Sequence, residues 1–243
     1  MIETKDLSKR FGTKTAVDRL NLRIEAGEFF CFLGPNGAGK TTTIKLLTGL
    51  LKPTSGEAVI GGHDIQREHV AAKQLLGYIP DMPFLYEKLT GREFMRFVAG
   101  LYQVPEEIAS IRTGELLDLF EIRDVGDQLI EDYSHGMRQK LSFASCFLHD
   151  PKVVVVDEPW VGLDPKNIRF VKNFLREKTR DGVTIFMSTH SLSVIEETAD
   201  RIGIIHNGRL LHTGSLSEIK ALSRNPGSLE DVFLELTNGE AAP

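Results

Sequence analysis

Phe29-Phe30-Cys31-Phe32-Leu33-Gly34-Pro35-Asn36-Gly37-Ala38-Gly39-Lys40-Thr41-Thr42 decides how this chain is read. Its opening apolar run, short and rich in aromatics, predicts a buried strand, and the stretch that follows, with Ile44, Leu46 and Leu47, has helical spacing. Between them, Gly34 to Thr41 spell G-x-x-x-x-G-K-T. Glycines let backbone N–H groups turn inward around a phosphate, and the following helix adds the positive end of its dipole. Lys40 supplies a cation and the Thr41 hydroxyl can ligate Mg²⁺. Pro35, Asn36, Gly37, Ala38, Gly39 and Thr42 complete the cradle. A glycine-rich turn without a ligand is the alternative, and the full pattern between strand and helix argues against it. The expected ligand is a nucleoside triphosphate.

Outward from this loop, further short β-branched runs at 153–156 and 184–187 are separated by helically spaced stretches, which predicts an α/β fold with a mainly parallel central sheet. The first 28 residues alternate instead, as at Leu20, Leu22 and Ile24, and suggest antiparallel strands flanking that sheet. Residues 84–150 read as a helical insertion. Thr90 and Glu93 form a T-x-x-E start before Phe94, Phe97, Val98 and Leu101, and Leu116, Leu117 and Phe120 open another helical patch. His206-Asn207-Gly208-Arg209 predicts a tight hairpin, and Leu229, Val232, Phe233 and Leu236 form one face of a terminal helix. The expected organisation is a catalytic core from 1–83 and 151–220, a helical subdomain at 84–150 and a short helical tail at 221–243.

The valine run at 153–156 delivers Asp157 and Glu158 to its C-terminal end, where ligands of open α/β sheets collect. Asp157 is expected to hold Mg²⁺ and Glu158 to polarise the water that attacks a γ-phosphate. Acidic residues at a strand end also serve simply to cap the next turn; a phosphate loop in the same chain favours the chemical reading.

Bulk properties bound the partners. Against 34 acidic residues stand 29 Lys and Arg, a formal charge of -5, which leaves no overall footprint for nucleic acid. Cys31 and Cys146 sit among apolar neighbours, as buried thiols in a reducing compartment do. No apolar run approaches the roughly 18 residues that span a bilayer, so any membrane role is expected to be peripheral, on the cytoplasmic face.

Tyr133-Ser134-His135-Gly136-Met137-Arg138-Gln139-Lys140 resembles the signature of ATP-binding cassette proteins, usually LSGGQ followed by basic residues. With the phosphate loop, VVVVDEP, Gly162-Leu163-Asp164-Pro165 and His190 in the expected order, it makes the chain similar over its whole length to the nucleotide-binding subunits of ABC transporters. That resemblance implies the ABC ATPase form of the P-loop NTPase fold and a head-to-tail dimer around two Mg·ATP. In it Ser134, His135, Gly136 and Gln139 meet the partner's ATP and Asp164 links the two sites. It implies that Phe11 stacks on adenine, that Val17 adds an apolar contact, and that His190 touches the γ-phosphate beside Lys40 and Glu158. It also implies separate membrane-spanning permease subunits, docked near 81–86 where Met82, Phe84, Leu85 and Tyr86 cluster, and a homodimer or a pair with a related subunit. The ending Leu229 to Leu236 resembles exporters of the ABC-2 kind.

Two positions depart from the family pattern. Asp81 stands where glutamine is usual; it can still coordinate Mg²⁺, but it is a methylene shorter and adds charge near phosphates. His135 replaces the first glycine of the signature. A non-transport ABC switch or a nucleotide-dependent binding module with weak turnover are the competing readings; a GTPase fits the cassette pattern least.

Overall fold

A computed structural model describes residues 1–160, 163–222 and 228–238. Gly162 and, from the expected tail, residues 223–227 and 239–243 lie outside them. Alternation along the central strands builds the molecule. Phe29–Leu33 (β3), Val153–Asp157 (β7) and Thr184–Thr189 (β8) are buried throughout, as parallel strands covered on both faces must be. Phe29, Cys31, Leu33, Val154, Val156, Ile185 and Met187 enter one core, while Phe30, Phe32, Val153, Val155 and Phe186 enter another. Phe186 packs 5.8 Å from Phe30 and 5.3 Å from Phe32 between ring centroids. Truncating any of the three to alanine would cost about 3–5 kcal/mol.

That second core is closed by an antiparallel sheet of Ile2–Phe11 (β1), Lys14–Ile24 (β2), Ser55–Ile60 (β4) and His63–Asp64 (β5), ordered β2-β1-β4-β5. Helices Lys40–Leu47 (α1) and His69–Gln74 (α2) lie in the same layer, through Ile44, Leu46 and Leu47 and through Ala72. The central sheet runs β10-β9-β3-β8-β7-β6, with Leu76–Ile79 (β6), Arg201–His206 (β9) and Arg209–Gly214 (β10). Only the expected β9–β10 hairpin is antiparallel in it. Asn207 and Gly208 turn that hairpin with φ of 49° and 78°, the pair of positive values a two-residue turn of matching twist requires. The short strands β4 and β6 carry weak signals, since each contains glycine, and were not among the expected strands.

Helices cover the other face. Between 84 and 150 lie Gly91–Leu101 (α3), Glu106–Leu119 (α4) and His135–Phe147 (α5). Thr90 caps α3 reciprocally: Glu93 N–H donates to Thr90 Oγ1 at 3.2 Å and Thr90 N–H to Glu93 Oε2 at 2.8 Å. Leu116, Leu117 and Phe120 close α4 instead of opening a helix. Its buried face begins with Ala109 and Thr113, residues too small or polar to register as apolar spacing. Phe94, Leu117 and Phe143 from this region share one core with Cys31 and Val156. Pro165–Arg180 (α6), Leu192–Thr198 (α7), Leu216–Lys220 (α8) and Leu229–Asn238 (α9) complete the layer, α9 burying Leu229 and Val232.

Candidate active site

Strand register assembles the site. Leu33 pairs with Thr189, Asp157 with Ser188 and Ile79 with Val156, so the phosphate loop, both carboxylates, His190 and Asp81 all emerge at one C-terminal edge of the sheet. There a cleft of about 390 Å³ is lined by Phe11, Lys14, Ala16, Pro35, Asn36, Gly37, Gly39, Lys40, Thr41, Thr42, Asp81, Asp157 and Glu158. At one end sits the ring of Phe11, 49% exposed with Lys9 Nζ 5.2 Å from its centroid, a flat face open to stacking.

The loop wraps tightly against its neighbours. Gly39 has φ 112°, and a Cβ there would lie 2.4 Å from the Ala16 carbonyl oxygen, so no other residue fits. Gly34 and Ala38 are buried and shape the cradle from behind. Lys40 Nζ donates to the carbonyls of Gly34 at 2.7 Å and Pro35 at 3.3 Å, and stands 3.9 Å from Glu158 Oε1. Burial lowers its pKa, while Glu158 and Asp157 act to raise it.

Asp157 is buried beneath the cradle. Its Oδ1 accepts from Ser188 Oγ, and its Oδ2 has no hydrogen-bond partner among the described residues. Burial pushes the carboxyl above its ordinary value, against the lowering effect of the Ser188 and Thr41 hydroxyls. Glu158 turns the chain with φ 43°, a left-handed conformation that costs a non-glycine residue about 1 kcal/mol or more and persists where the surroundings enforce it. That turn aims its carboxylate at His190, whose Nδ1 lies 2.8 Å from Oε1. Asp81 Oδ1 accepts from the Met82 N–H at 2.9 Å.

The signature residues lie elsewhere. Ser134 caps α5, accepting from the Met137 N–H at 3.3 Å, and Ser134 and His135 are exposed. None of Ser134, His135, Gly136 and Gln139 lines the cleft of its own chain. Asp164 caps α6, accepting from the Asn167 N–H at 2.9 Å.

Comparison with known proteins then places the molecule. Residues 17–161 match the ABC transporter family model. Over 216 residues the chain is 39% identical to the uncharacterized ABC transporter ATP-binding protein YhcH of Bacillus subtilis, spanning 87% of this chain and 68% of that one. The chain belongs to the ABC transporter family. It is an ATP-binding subunit of the ABC ATPase type. A solved structure of the ATP-binding subunit of an ABC transporter superposes with a TM-score of 0.91 at 33% identity, covering 97% of this chain and 99% of the other. The probable multidrug ABC transporter ATP-binding protein YbhF of Escherichia coli is 34% identical over 240 residues, of which this chain spans 41%.

Two expectations for this ATPase need correction. Val17 is fully buried in the core between the sheets, because inward and outward residues alternate along β2 and Ala16 takes the cleft-facing position. Ala16 and Lys14 are site residues that motif reading missed; the alternation of β2 is the signal that locates them. Gln139 is 1% exposed and its Nε2 donates to the Pro159 carbonyl at 3.4 Å, so it faces its own Glu158 turn. Counting from Ser134 in the LSGGQ pattern, the glutamine position falls on Met137, which is half-buried.

Proposed function

We propose that two copies of this chain, or one copy and a related subunit, close head-to-tail around two Mg·ATP and drive export through separate membrane-spanning subunits. One observation carries the dimer: the capped, exposed N-terminus of α5 is outside the cleft that holds Phe11, Lys40, Thr41, Asp81, Asp157 and Glu158. A helix N-terminus offers unsatisfied N–H groups and a positive dipole end, which suit a γ-phosphate. Only a second subunit can bring one to it. Peripheral docking fits Met82 at 71% and Phe84 at 86% exposure, apolar surface that a partner would cover. Among the described residues no helix is long and apolar enough to cross a membrane. Export follows the multidrug relative.

Within each site Phe11 stacks on the base, the Gly37 to Thr42 backbone cradles phosphates, and Lys40 compensates their charge. Thr41, Asp81 and Asp157 fit Mg²⁺: a hydroxyl, an accessible carboxylate and a buried carboxylate with an unpaired oxygen. Mg²⁺ held by these residues would neutralise charge that develops on the phosphates. Glu158 orients and deprotonates the attacking water, and His190 holds that carboxylate in place through the 2.8 Å contact.

The test is Glu158→Gln with light scattering in ATP. The reading expects a monomer without nucleotide and a stable dimer with it; a monomer under both conditions defeats the dimer, and unchanged hydrolysis defeats Glu158 as base.

A further inference from the structure

The β9–β10 turn lies far along the chain from the phosphate loop, yet it is stitched between the two halves of the ATP cleft. Gly208 N–H donates to the Ala38 carbonyl at 2.8 Å, on the phosphate side. The Gly208 carbonyl accepts from the Asp18 N–H at 2.8 Å, on the β2 side. Outside this pair, Arg209 Nε donates to Asp18 Oδ2 at 2.7 Å. Contact is close enough to exclude side chains. A Cβ on Gly208 would lie 2.9 Å from the Ala16 carbonyl oxygen and 3.3 Å from the Val17 nitrogen, at a φ of 78°. From the other direction, a Cβ on Gly39 would approach the Gly208 Cα to 3.5 Å.

Ala16 and Lys14 line the cleft together with Gly37, Gly39, Lys40, Thr41 and Thr42; on the ATP reading the first two belong to its base end and the others to its phosphate end. One backbone amide and one carbonyl of a single residue therefore tie those ends together. We propose that Gly208, locked from outside by the Arg209–Asp18 pair, is the spacer that fixes the separation of base platform and phosphate cradle. Gly208 and Arg209 are positioning residues: neither lines the cleft, and both act through Ala16 and Ala38. The proposal rests on the ATP reading of the cleft and adds an element to it. A molecule that uses both ends depends on the spacer; one that uses the cradle alone does not.

Inorganic tripolyphosphate is such a molecule, and it separates this role from general loosening of the loop. Binding of Mg·ATP and of Mg·tripolyphosphate would be measured by calorimetry on the full chain. Gly208→Ala moves the turn off β2 and is expected to weaken ATP about tenfold, the equivalent of one strained left-handed residue, with tripolyphosphate changed less than about twofold. Arg209→Ala, which leaves the turn backbone intact and folds if Gly208→Ala does not, is expected to weaken ATP about threefold. Exchanging the pair as Asp18→Arg with Arg209→Asp should restore most of that loss. Parallel weakening of both ligands, unchanged ATP binding in both variants, or no rescue by the exchange overturns the proposal. Wild-type protein that binds neither ligand would instead overturn the ATP reading of the cleft.

Discussion

The cleft and the signature end of α5, both assigned to ATP in the proposed dimer, are built to opposite plans. The cleft draws on β1, β2, α1 and the ends of β3, β6, β7 and β8, each held by strand register, so its geometry is complete within one chain. The signature end is a single helix start, exposed at Ser134 and His135, whose far end is fixed in the core. Just past that end the ring of His149 stacks on Tyr102 at 3.6 Å, and nearer the start Gln139 ties the helix to the Glu158 turn. On the proposed reading the contrast marks where autonomy ends: binding belongs to one subunit, while turnover needs a rigid helix presented to another.

The strongest way to break that comparison is at Glu158. Glu158→Gln should lower turnover about a thousandfold, the scale of losing a general base and its orientation, with ATP affinity preserved; single-turnover assays at saturating ATP check it. Next is the anchor of the signature helix. Burial pushes the His149 imidazole down to about 4 from its ordinary 6.5. As pH falls, the unfolded chain takes up that proton first, so stability is complete above about 6.5 and is lost between there and 4. The loss should reach about 3 kcal/mol, and His149→Phe, which keeps the stack, should flatten that part of a denaturation-versus-pH curve.

A smaller effect sharpens the cleft side. Phe11→Ala should weaken ATP about tenfold with little change for tripolyphosphate, since base stacking on an aromatic ring is worth about 1–3 kcal/mol. Smallest is Asp81→Gln, which exchanges a carboxylate for a weaker neutral oxygen. The Mg²⁺ needed for half-maximal hydrolysis should rise about threefold; an unchanged requirement would remove Asp81 from the metal site.

Motifs whose chemistry is tied to backbone shape were legible in the sequence. The G-x-x-x-x-G-K-T loop, the valine strand carrying Asp157 and Glu158, the Asn207-Gly208 turn and the Thr90 cap each specify local geometry that few alternatives satisfy. What escaped depends on orientation within an element. Val17 and Ala16 differ by one place along a strand, and that single step exchanges core for cleft. Gln139 shares an inward face of α5 with buried neighbours, so its angle around the helix, not its residue type, decides where it points. β6 gives no strand signal of its own because it has only four residues and one is Gly77, although its pairing with β7 is what carries Asp81 to the site.

Mixing two inactive variants tests the shared site most directly. Lys40→Ala disables a cradle and Ser134→Arg blocks a signature end, and each pure variant should be nearly inactive. In an equal mixture, half the dimers are mixed and each restores one of two sites, so hydrolysis should return to roughly a quarter of the wild-type rate. No recovery, despite dimers of the mixed composition, would contradict an active site built from two subunits.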